Sequence, residues 1–280
     1  MFIKKHKIYF ENFVILILGI FTSFSLPPYN YWYINFFTFS IFFIILLLNR
    51  DKNLKIFFLY GFIFGFGYFA SNLYWIPFSL SFDEKFKFLI PFAIIIIPAF
   101  LSLFYGFAIV IFKLVFNSKS IFANILIFSL TLSFFEYLRG NILSGFPWNL
   151  IAYSFFKNLN FLQINSLIGI YAFNMILITI FSTPAILFVK RKKNDLFGIV
   201  LVIVLSLSIY IYGILNIKNF NNKELQDLPI NLNVLSTNIP IERYYSNFDD
   251  EKVLIELINL SNPNPQENAI FVWPEGVIPN

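Results

Sequence analysis

Residues 88–116, FLIPFAIIIIPAFLSLFYGFAIVIFKLVF, decide the class of fold. The run carries a single charged side chain, that of Lys113 near its end. A helix of about 20 apolar residues crosses a hydrocarbon core of about 30 Å, so this stretch is long enough to span a membrane. Pro91 and Pro98 predict kinks, which membrane helices tolerate when neighbouring groups satisfy the freed carbonyl groups. The stretch therefore predicts a membrane-spanning helix.

Similar apolar runs fill the sequence on both sides of this one. Together they predict a multi-pass α-helical membrane protein with about seven spans, at residues 8–26, 29–48, 56–80, 88–116, 121–138, 161–189 and 196–217. The composition agrees, because 58% of the residues are hydrophobic and only 12% are charged, about half the charged fraction of soluble domains. The first run is too long for a signal peptide and lacks a small-residue cleavage site. Gly61 and Gly65 in the third run predict close helix packing.

The positions of the basic residues predict the orientation of the spans. With the N-terminus in the cytoplasm, the inner segments hold most of the Lys and Arg residues: Lys4, Lys5, Lys7, Arg50, Lys52, Lys55, Lys113, Lys119, Lys190, Arg191, Lys192 and Lys193. The outer loops hold Lys85, Lys87, Arg139 and Lys157. This distribution follows the positive-inside rule. The orientation of the spans therefore accounts for the net charge of +5, and nucleic-acid binding is not needed to explain it. An odd number of spans then places the residues after the last span on the outer side.

Residues 218–280 form a second predicted domain, after a transmembrane helical bundle of residues 1–217. INLNVLSTNIP (230–240) and AIFVW (269–273) are predicted strands, and residues 249–260 have the apolar spacing of an amphipathic helix. Strand, helix and strand are the opening unit of a layered α/β domain. Because two strands cannot form a complete core, we expect the second strand to lack pairing partners. The segment is then either poorly ordered or rests against the bundle.

Glu136 and Arg139 lie at the outer end of the fifth apolar run, where charge is costly and often functional. Glu136 and Arg139 are three residues apart, which places them on one face of a helix and close enough to pair. The loop that follows, SGFPW (144–148), carries Phe146 and Trp148. Two interpretations stay open. One is an ion pair with an interfacial aromatic anchor, and the other is a loop that shapes a lipid-facing entrance to a site outside the membrane.

The sequence contains no Cys and a single His, His6. Its 280 residues therefore offer no disulfide, no thiolate metal site and no thiol nucleophile, and we predict neither a metal ion nor a cofactor. Glu275 follows the second predicted strand, in FVWPEG (271–276). A carboxylate in this position is either an ordinary strand-end residue or a general base that accepts a proton during catalysis.

Five segments are the most distinctive in the sequence: LPPYNYW (26–32), GFGYFASNLYW (65–75), FEYLRGNILSGFPWNLIAYS (135–154), LSTNIP (235–240) and FVWPEGVIP (271–279). Their content and their order resemble the bacterial apolipoprotein N-acyltransferases. The resemblance covers the whole chain, and its most specific parts are the segment around Glu136 and Arg139 and the WPE motif.

The resemblance implies a fold, a location and a reaction. Members of this family look like a membrane bundle in the bacterial inner membrane, with a nitrilase-like domain on the periplasmic side. They move an acyl chain from a phospholipid to the N-terminal amine of a diacylglyceryl-cysteine lipoprotein. In the implied mechanism a cysteine takes the acyl group as a thioester, a glutamate handles the proton and a lysine supports the oxyanion. The expected partners are therefore a phospholipid donor, a lipoprotein acceptor and the membrane.

The resemblance carries over one catalytic residue, Glu275. It also implies roles in binding lipid or substrate for Arg139, Phe146, Trp148, Tyr153 and Trp273. The family's Lys and Cys have no counterpart here, and Ser236 stands where the family often has Gln. We therefore expect an N-terminal fragment that is inactive alone: a truncated reading frame, an incomplete gene or one half of a split acyltransferase. The alternative is a non-catalytic membrane protein that binds lipid or lipoprotein.

Overall fold

The computed structural model describes residues 2–116, 120–190, 192–222, 230–236, 250–264, 266 and 268–275. Within these ranges the α-helices are α1 (Phe2–Ser23), α2 (Asn35–Leu48), α3 (Leu54–Leu73), α4 (Ile90–Val115), α5 (Ile121–Asn141), α6 (Leu159–Leu162), α7 (Asn165–Ser182), α8 (Ala185–Phe188), α9 (Lys193–Asn221) and α10 (Asp250–Ser261). Short 3-10 helices occupy Trp32–Ile34, Ile76–Phe82, Glu84–Leu89 and Ile151–Phe155. The two strands are β1 (Asn231–Val234) and β2 (Ala269–Val272).

Long apolar helices dominate the first part of the chain. Among the described residues, five helical segments are long and apolar enough to cross a membrane: Leu54–Leu73, Glu84–Val115, Ile121–Asn141, Asn165–Phe188 and Lys193–Asn221. Two shorter apolar helices, Ile8–Ser23 and Trp32–Leu48, lie where the first two spans are predicted. The multi-pass helical class is therefore confirmed, whereas the count of seven spans stays a prediction.

Proline and glycine decide where the predicted spans begin and break. Pro98 lies inside α4, but Pro91 lies in its first turn, where a missing N–H costs no helical hydrogen bond. Pro91 therefore begins the helix, and the kink predicted there is wrong. The single span predicted at residues 161–189 is divided into α6, α7 and α8, with Gly169 at φ 74° inside α7 and Pro184 before α8.

Aromatic side chains fill the centre of the helical bundle. Phe42 of α2 stacks on Phe64 of α3, with ring centroids 4.4 Å apart and ring planes 9° apart. Helices α3 and α4 approach each other at glycines: a Cβ on Gly65 would lie 3.0 Å from the Cβ of Tyr105, and one on Gly61 would meet the Tyr105 carbonyl oxygen. The helix-packing role predicted for these two glycines is therefore confirmed.

The described chain divides into two compact units, one of residues 1–77 and 89–221 and the other of residues 78–88 and 222–280. In the second unit β1 and β2 pair in parallel, with Asn231 opposite Ala269 and Val234 opposite Val272. The predicted order of strand, helix and strand is confirmed. The expectation that the second strand lacks a pairing partner is wrong, because β1 supplies its backbone hydrogen bonds along one edge.

A small apolar contact stabilises this strand–helix–strand unit, which consists of β1, α10 and β2. Val253 and Leu257 on α10 are buried, and Trp273, directly after β2, packs against them. The Trp273 indole Nε1 donates a hydrogen bond to Ser261 Oγ at 2.9 Å. One tryptophan thus joins the end of the sheet to the helix by both an apolar and a polar contact.

Candidate functional site

Helix α5 places Glu136 and Arg139 inside the helical bundle. Both side chains are buried, with exposed fractions of 0% for Glu136 and 1% for Arg139. They do not form an ion pair with each other, so the interpretation as a simple ion pair is wrong. Each charge is instead held by different neutral groups of the described chain. Buried charges need such partners, because leaving them unpaired costs several kcal/mol.

Glu136 is held by side chains from two other helices. The Tyr105 hydroxyl of α4 donates to Glu136 Oε1 at 2.7 Å, and Asn174 Nδ2 of α7 donates to Glu136 Oε2. Asn174 Nδ2 also lies 3.2 Å from Ser133 Oγ. The other amide atom, Asn174 Oδ1, accepts from the backbone N–H of Ala152 at 2.9 Å. Glu136 therefore joins α5 to α4 and α7. Asn174 extends this contact to the segment after the SGFPW loop.

Arg139 holds the SGFPW loop through the backbone of the loop. Its Nη1 donates to the carbonyl oxygens of Phe146 at 2.6 Å and Trp148 at 2.8 Å. The guanidinium carbon lies 5.1 Å from the ring centre of Phe69 and 5.7 Å from that of Phe146, within the range of cation–π attraction. These contacts of a buried guanidinium fix the direction of the loop.

A third group completes what we call the loop network, which consists of Tyr68, Tyr105, Glu136, Arg139 and Asn174. The Tyr68 hydroxyl of α3 donates to the carbonyl oxygen of Asn149 at 2.8 Å. The carbonyl groups of Phe146 and Trp148 in the loop, and that of Asn149 directly after it, therefore accept bonds from buried side chains. The loop is held by its backbone, which leaves its own side chains available for other contacts.

The loop backbone needs a glycine at one position. Gly145 has φ 74°, in the left-handed region that favours glycine. A Cβ on Gly145 would also lie 2.7 Å from the carbonyl oxygen of Gly140. Directly after it, the backbone N–H of Phe146 donates to the Arg139 carbonyl oxygen at 2.8 Å. The sequence Ser-Gly-Phe-Pro-Trp thus folds back on the end of α5.

The loop lines a pocket of about 420 Å³ on one side. Trp148 and Trp75 form one wall, with ring centroids 6.2 Å apart and planes at 21°. Tyr153 lines the pocket too, and its hydroxyl donates to the Pro147 carbonyl oxygen at 3.3 Å. Burial raises the pKa of the Tyr153 hydroxyl above its ordinary value, which keeps it a neutral hydrogen-bond donor. Parts of the segments LPPYNYW, GFGYFASNLYW and SGFPW therefore meet at one pocket.

A second pocket, of about 320 Å³, lies on the α4 side of the loop. Arg139 and Phe146 line it together with apolar side chains of α4, among them Phe100 and Phe104. Four sequence-predicted residues thus lie around one loop: Arg139 and Phe146 at this pocket, and Trp148 and Tyr153 at the first. Apolar pockets with a few polar groups are typical of binding sites for small molecules.

The two remaining predicted residues, Trp273 and Glu275, belong to the other compact unit. Trp273 is half-buried against α10, so its visible contacts are those of a packing residue. Glu275 is exposed, two residues after Trp273. Across the ranges that the structure describes, no three His, Cys, Asp or Glu side chains lie together in a way that could hold a metal ion.

Sequence reasoning missed Tyr68, Tyr105 and Asn174 as members of the loop network. Asn174 carried a usable signal, because an amide within the apolar run FNMILITIF is costly unless it has a partner. The two tyrosines carried little signal, since the sequence has 15 Tyr residues and tyrosine is common near membrane interfaces.

Buried apolar helices, membrane-length segments and an internal polar network define the class: a multi-pass helical membrane protein. Residues 18–183 match the sequence model described as apolipoprotein N-acyltransferase N-terminal domain. The chain therefore belongs to the apolipoprotein N-acyltransferase family.

Curated relatives agree with this assignment. The apolipoprotein N-acyltransferase of Rhodopseudomonas palustris is 28% identical over 95% of this chain and 51% of its own length. That of Rickettsia prowazekii is 30% identical over 96% of this chain and 53% of its own length, and that of Brucella melitensis is 31% identical over 78% and 41%. The chain thus spans about half the length of the curated relatives it matches.

Proposed function

We propose that this chain is the N-terminal portion of an enzyme that transfers an acyl chain from a phospholipid to the N-terminal amine of a diacylglyceryl-cysteine lipoprotein. The loop network is the observation that carries the proposal. It lies within the residues that match the family, and the SGFPW loop that it holds lines two pockets. In the proposed topology about seven spans form the bundle of residues 1–217. Residues 218–280 then face the periplasm from the inner membrane and begin a nitrilase-like domain.

In this proposal the loop guides the lipid substrates. Phe146 and Trp148 lie at the pockets on either side of the loop, and Tyr153 offers a neutral hydroxyl at one of them. Apolar walls accept acyl chains, because their burial removes hydrocarbon surface from water or from headgroups. Arg139 acts as a positioning residue, since its guanidinium is buried and bonded to the loop carbonyls. This proposed role extends the second interpretation of the SGFPW loop, in which the loop shapes a lipid-facing entrance.

Glu275 is the proposed general base. A carboxylate accepts the proton of a thiol nucleophile as the thiol attacks the phospholipid ester, and it returns that proton to the lysophospholipid alcohol that leaves as the thioester forms. It then accepts a proton from the amine that attacks the thioester and returns it to the departing thiol sulfur. The 280 residues contain no Cys, so the thiol must come from outside them. Trp273 packs on α10 and holds the end of β2, and we propose that it fixes the direction in which Glu275 points.

A chimera tests the proposal. The chain would be fused to the part of the Rickettsia prowazekii relative that it does not cover, and reconstituted in vesicles with an alkyne-labelled phosphatidylethanolamine and a diacylglyceryl-cysteine peptide. We expect labelled acyl transfer to the peptide amine by the chimera. The chain alone should give neither transfer nor a covalent acyl adduct, because it has no thiol.

The intact Rickettsia prowazekii relative serves as the positive control in the same vesicles. Transfer by the relative but none by a folded, membrane-inserted chimera would contradict the proposal. A labelled adduct on the chain alone would contradict the assignment of the nucleophile to residues outside it. Retention of labelled lipid by the chain, without transfer by the chimera, would support the non-catalytic alternative.

A further inference from the structure

A polar cavity of about 390 Å³ lies among the ends of α2, α4 and α8 and the starts of α5 and α9. Three cationic side chains line it, those of Arg50, Lys190 and Lys192, together with the acids Asp51 and Asp195. None of its lining residues belongs to the loop network or to the two pockets at the SGFPW loop. The cavity is therefore a separate feature of the bundle.

Asp195 builds the cavity rather than neutralising the cations. It is 1% exposed, and its Oδ1 accepts from Ser120 Oγ at 2.9 Å and from the backbone N–H groups of Ile121 at 2.8 Å and Phe122 at 3.1 Å. Its Oδ2 accepts from the backbone N–H of Lys192 at 2.8 Å. One carboxylate thus joins the first turns of α5 and α9, and its charge is balanced by N–H and O–H donors.

Arg50, Lys190 and Lys192 have no acidic partner among the described residues. All three side chains are exposed, and in the part of the chain that the structure describes none of them forms an ion pair or a side-chain hydrogen bond. The backbone of Arg50 is nevertheless fixed, because Lys113 Nζ of α4 donates to its carbonyl oxygen. The side chains of Arg50, Lys190 and Lys192 thus lie at one cavity, and the backbone at Arg50 is fixed.

Apolar side chains form the rest of the wall. Leu47, Leu48, Phe116 and Val189 line the cavity, and Leu48 is 73% exposed. A ligand that suits this lining has a negatively charged head for the cations and a hydrocarbon part for the leucines. Guanidinium and ammonium groups bind phosphate through charge-assisted hydrogen bonds, and basic pockets between membrane helices bind anionic lipid headgroups.

We propose that this cavity binds the phosphate of an anionic phospholipid, with an acyl chain against Leu48. The site is distinct from the acyl-donor entrance proposed at the SGFPW loop. It goes beyond the proposed function and does not depend on it. Because these basic residues lie in the segments that the positive-inside rule places in the cytoplasm, the lipid belongs to the inner leaflet. Its phosphate would bridge the end of α2 to the connection between α8 and α9.

Native mass spectrometry of the purified chain in detergent tests the site without dependence on membrane orientation. Phosphatidylglycerol, phosphatidylcholine or inorganic phosphate would be added at equal concentrations. One cation near an anionic lipid contributes about fivefold in affinity, so we expect at least about a tenfold preference for phosphatidylglycerol over phosphatidylcholine. The variant R50Q/K190Q/K192Q should lose that preference, and R50K/K190R/K192R should keep it.

The matched control is K85Q/K87Q/K157Q, which removes the same number of exposed positive charges away from the cavity. It should keep the preference for phosphatidylglycerol. The proposal is overturned if the control loses the preference as fully as the cavity variant, or if the cavity variant keeps it. It is also overturned if inorganic phosphate displaces phosphatidylglycerol at equal concentration. Should the triple variant not fold, R50Q alone must weaken phosphatidylglycerol binding about fivefold, and an unchanged value contradicts the site.

Discussion

The loop network and the strand–helix–strand unit hold their candidate functional residues in opposite ways. In the loop network, Glu136 and Arg139 are buried, and side chains from four helices bond to the carboxylate or to the backbone in and directly after the loop. In the strand–helix–strand unit, Glu275 is exposed after a four-residue strand. The apolar core of this unit consists of Val253, Leu257 and Trp273.

The two regions obtain their rigidity from different sources. A buried network is costly to break, because each lost partner leaves a charged or polar group in a medium that cannot solvate it. A unit of two short strands and one helix gains little from burial. Among the described residues its sheet has only these two strands, so each strand has one edge without a partner there. The loop is therefore preorganised by the bundle, whereas the position of Glu275 depends on a few contacts.

Arg139→Met should give the largest loss of stability. It removes two hydrogen bonds from a charged donor to the carbonyls of Phe146 and Trp148, at about 2 kcal/mol each. We expect the free energy of unfolding of the bundle to fall by about 4 kcal/mol, measured by denaturation in detergent micelles. The matched control, Lys55→Met, removes an exposed cation of α3 and should leave stability unchanged. Equal effects of the two variants would show that Arg139 does not hold the loop.

Trp273→Ala should come next and should act on the other unit alone. Truncating a packed tryptophan costs about 3 kcal/mol, which is a large part of what so small a core supplies. Limited proteolysis of residues 218–280 should therefore become much faster, while the unfolding of the bundle stays as in the wild type. Cleavage at an unchanged rate would contradict the account of Trp273 as the residue that joins β2 to α10.

Asn174→Leu tests whether the loop network acts as one unit. The variant leaves Glu136 Oε2 and the backbone N–H of Ala152 without their bonds, so we expect a loss of about 2 kcal/mol in bundle stability. Asn141→Leu is the control, because Asn141 is exposed and bonds to the carbonyl oxygen of its own helix at Tyr137. Additive effects of Asn174→Leu and Arg139→Met in the double variant would contradict a coupled network.

Ser261→Ala should give the smallest effect. It removes the hydrogen bond from Trp273 Nε1 and leaves the packing of the indole ring on α10, for a cost of about 1 kcal/mol. Limited proteolysis of residues 218–280 should be intermediate between the wild type and Trp273→Ala. A rate equal to that of Trp273→Ala would mean that the hydrogen bond, and not the apolar contact, stabilises the unit.

Much of the fold could be predicted from sequence, because membrane helices leave a strong local signal. A membrane span needs about 20 apolar residues, and runs such as 88–116 supply them. The order of strand, helix and strand follows from the periodicity of the apolar residues. The pairing of β2 with β1 was harder to predict, since strand pairing is a contact between residues distant in the chain. The interruption at Gly169 also escaped, because hydropathy alone does not show where a helix is interrupted, whereas Pro184 is itself a signal for the break before α8.

The candidate site was predictable in part for a related reason. Glu136 and Arg139 stand out because charge is rare in spans, but their hydrogen-bond partners are carbonyl groups, one tyrosine and one asparagine from other segments. An i, i+3 spacing predicts that two side chains share a helix face and does not predict which of them finds a better partner elsewhere. The backbone of the SGFPW loop is that better partner for Arg139.

The proposed role of Glu275 as general base is tested by the rate of acyl transfer. In the chimera described above, Glu275→Gln keeps the shape of the side chain and removes the base, so acyl transfer to the peptide should fall by about 100-fold or more. Glu256→Gln changes an exposed glutamate of α10 in the same unit and should transfer at the rate of the unmodified chimera. A Glu275→Gln chimera that transfers as fast as the Glu256→Gln control would contradict the claim.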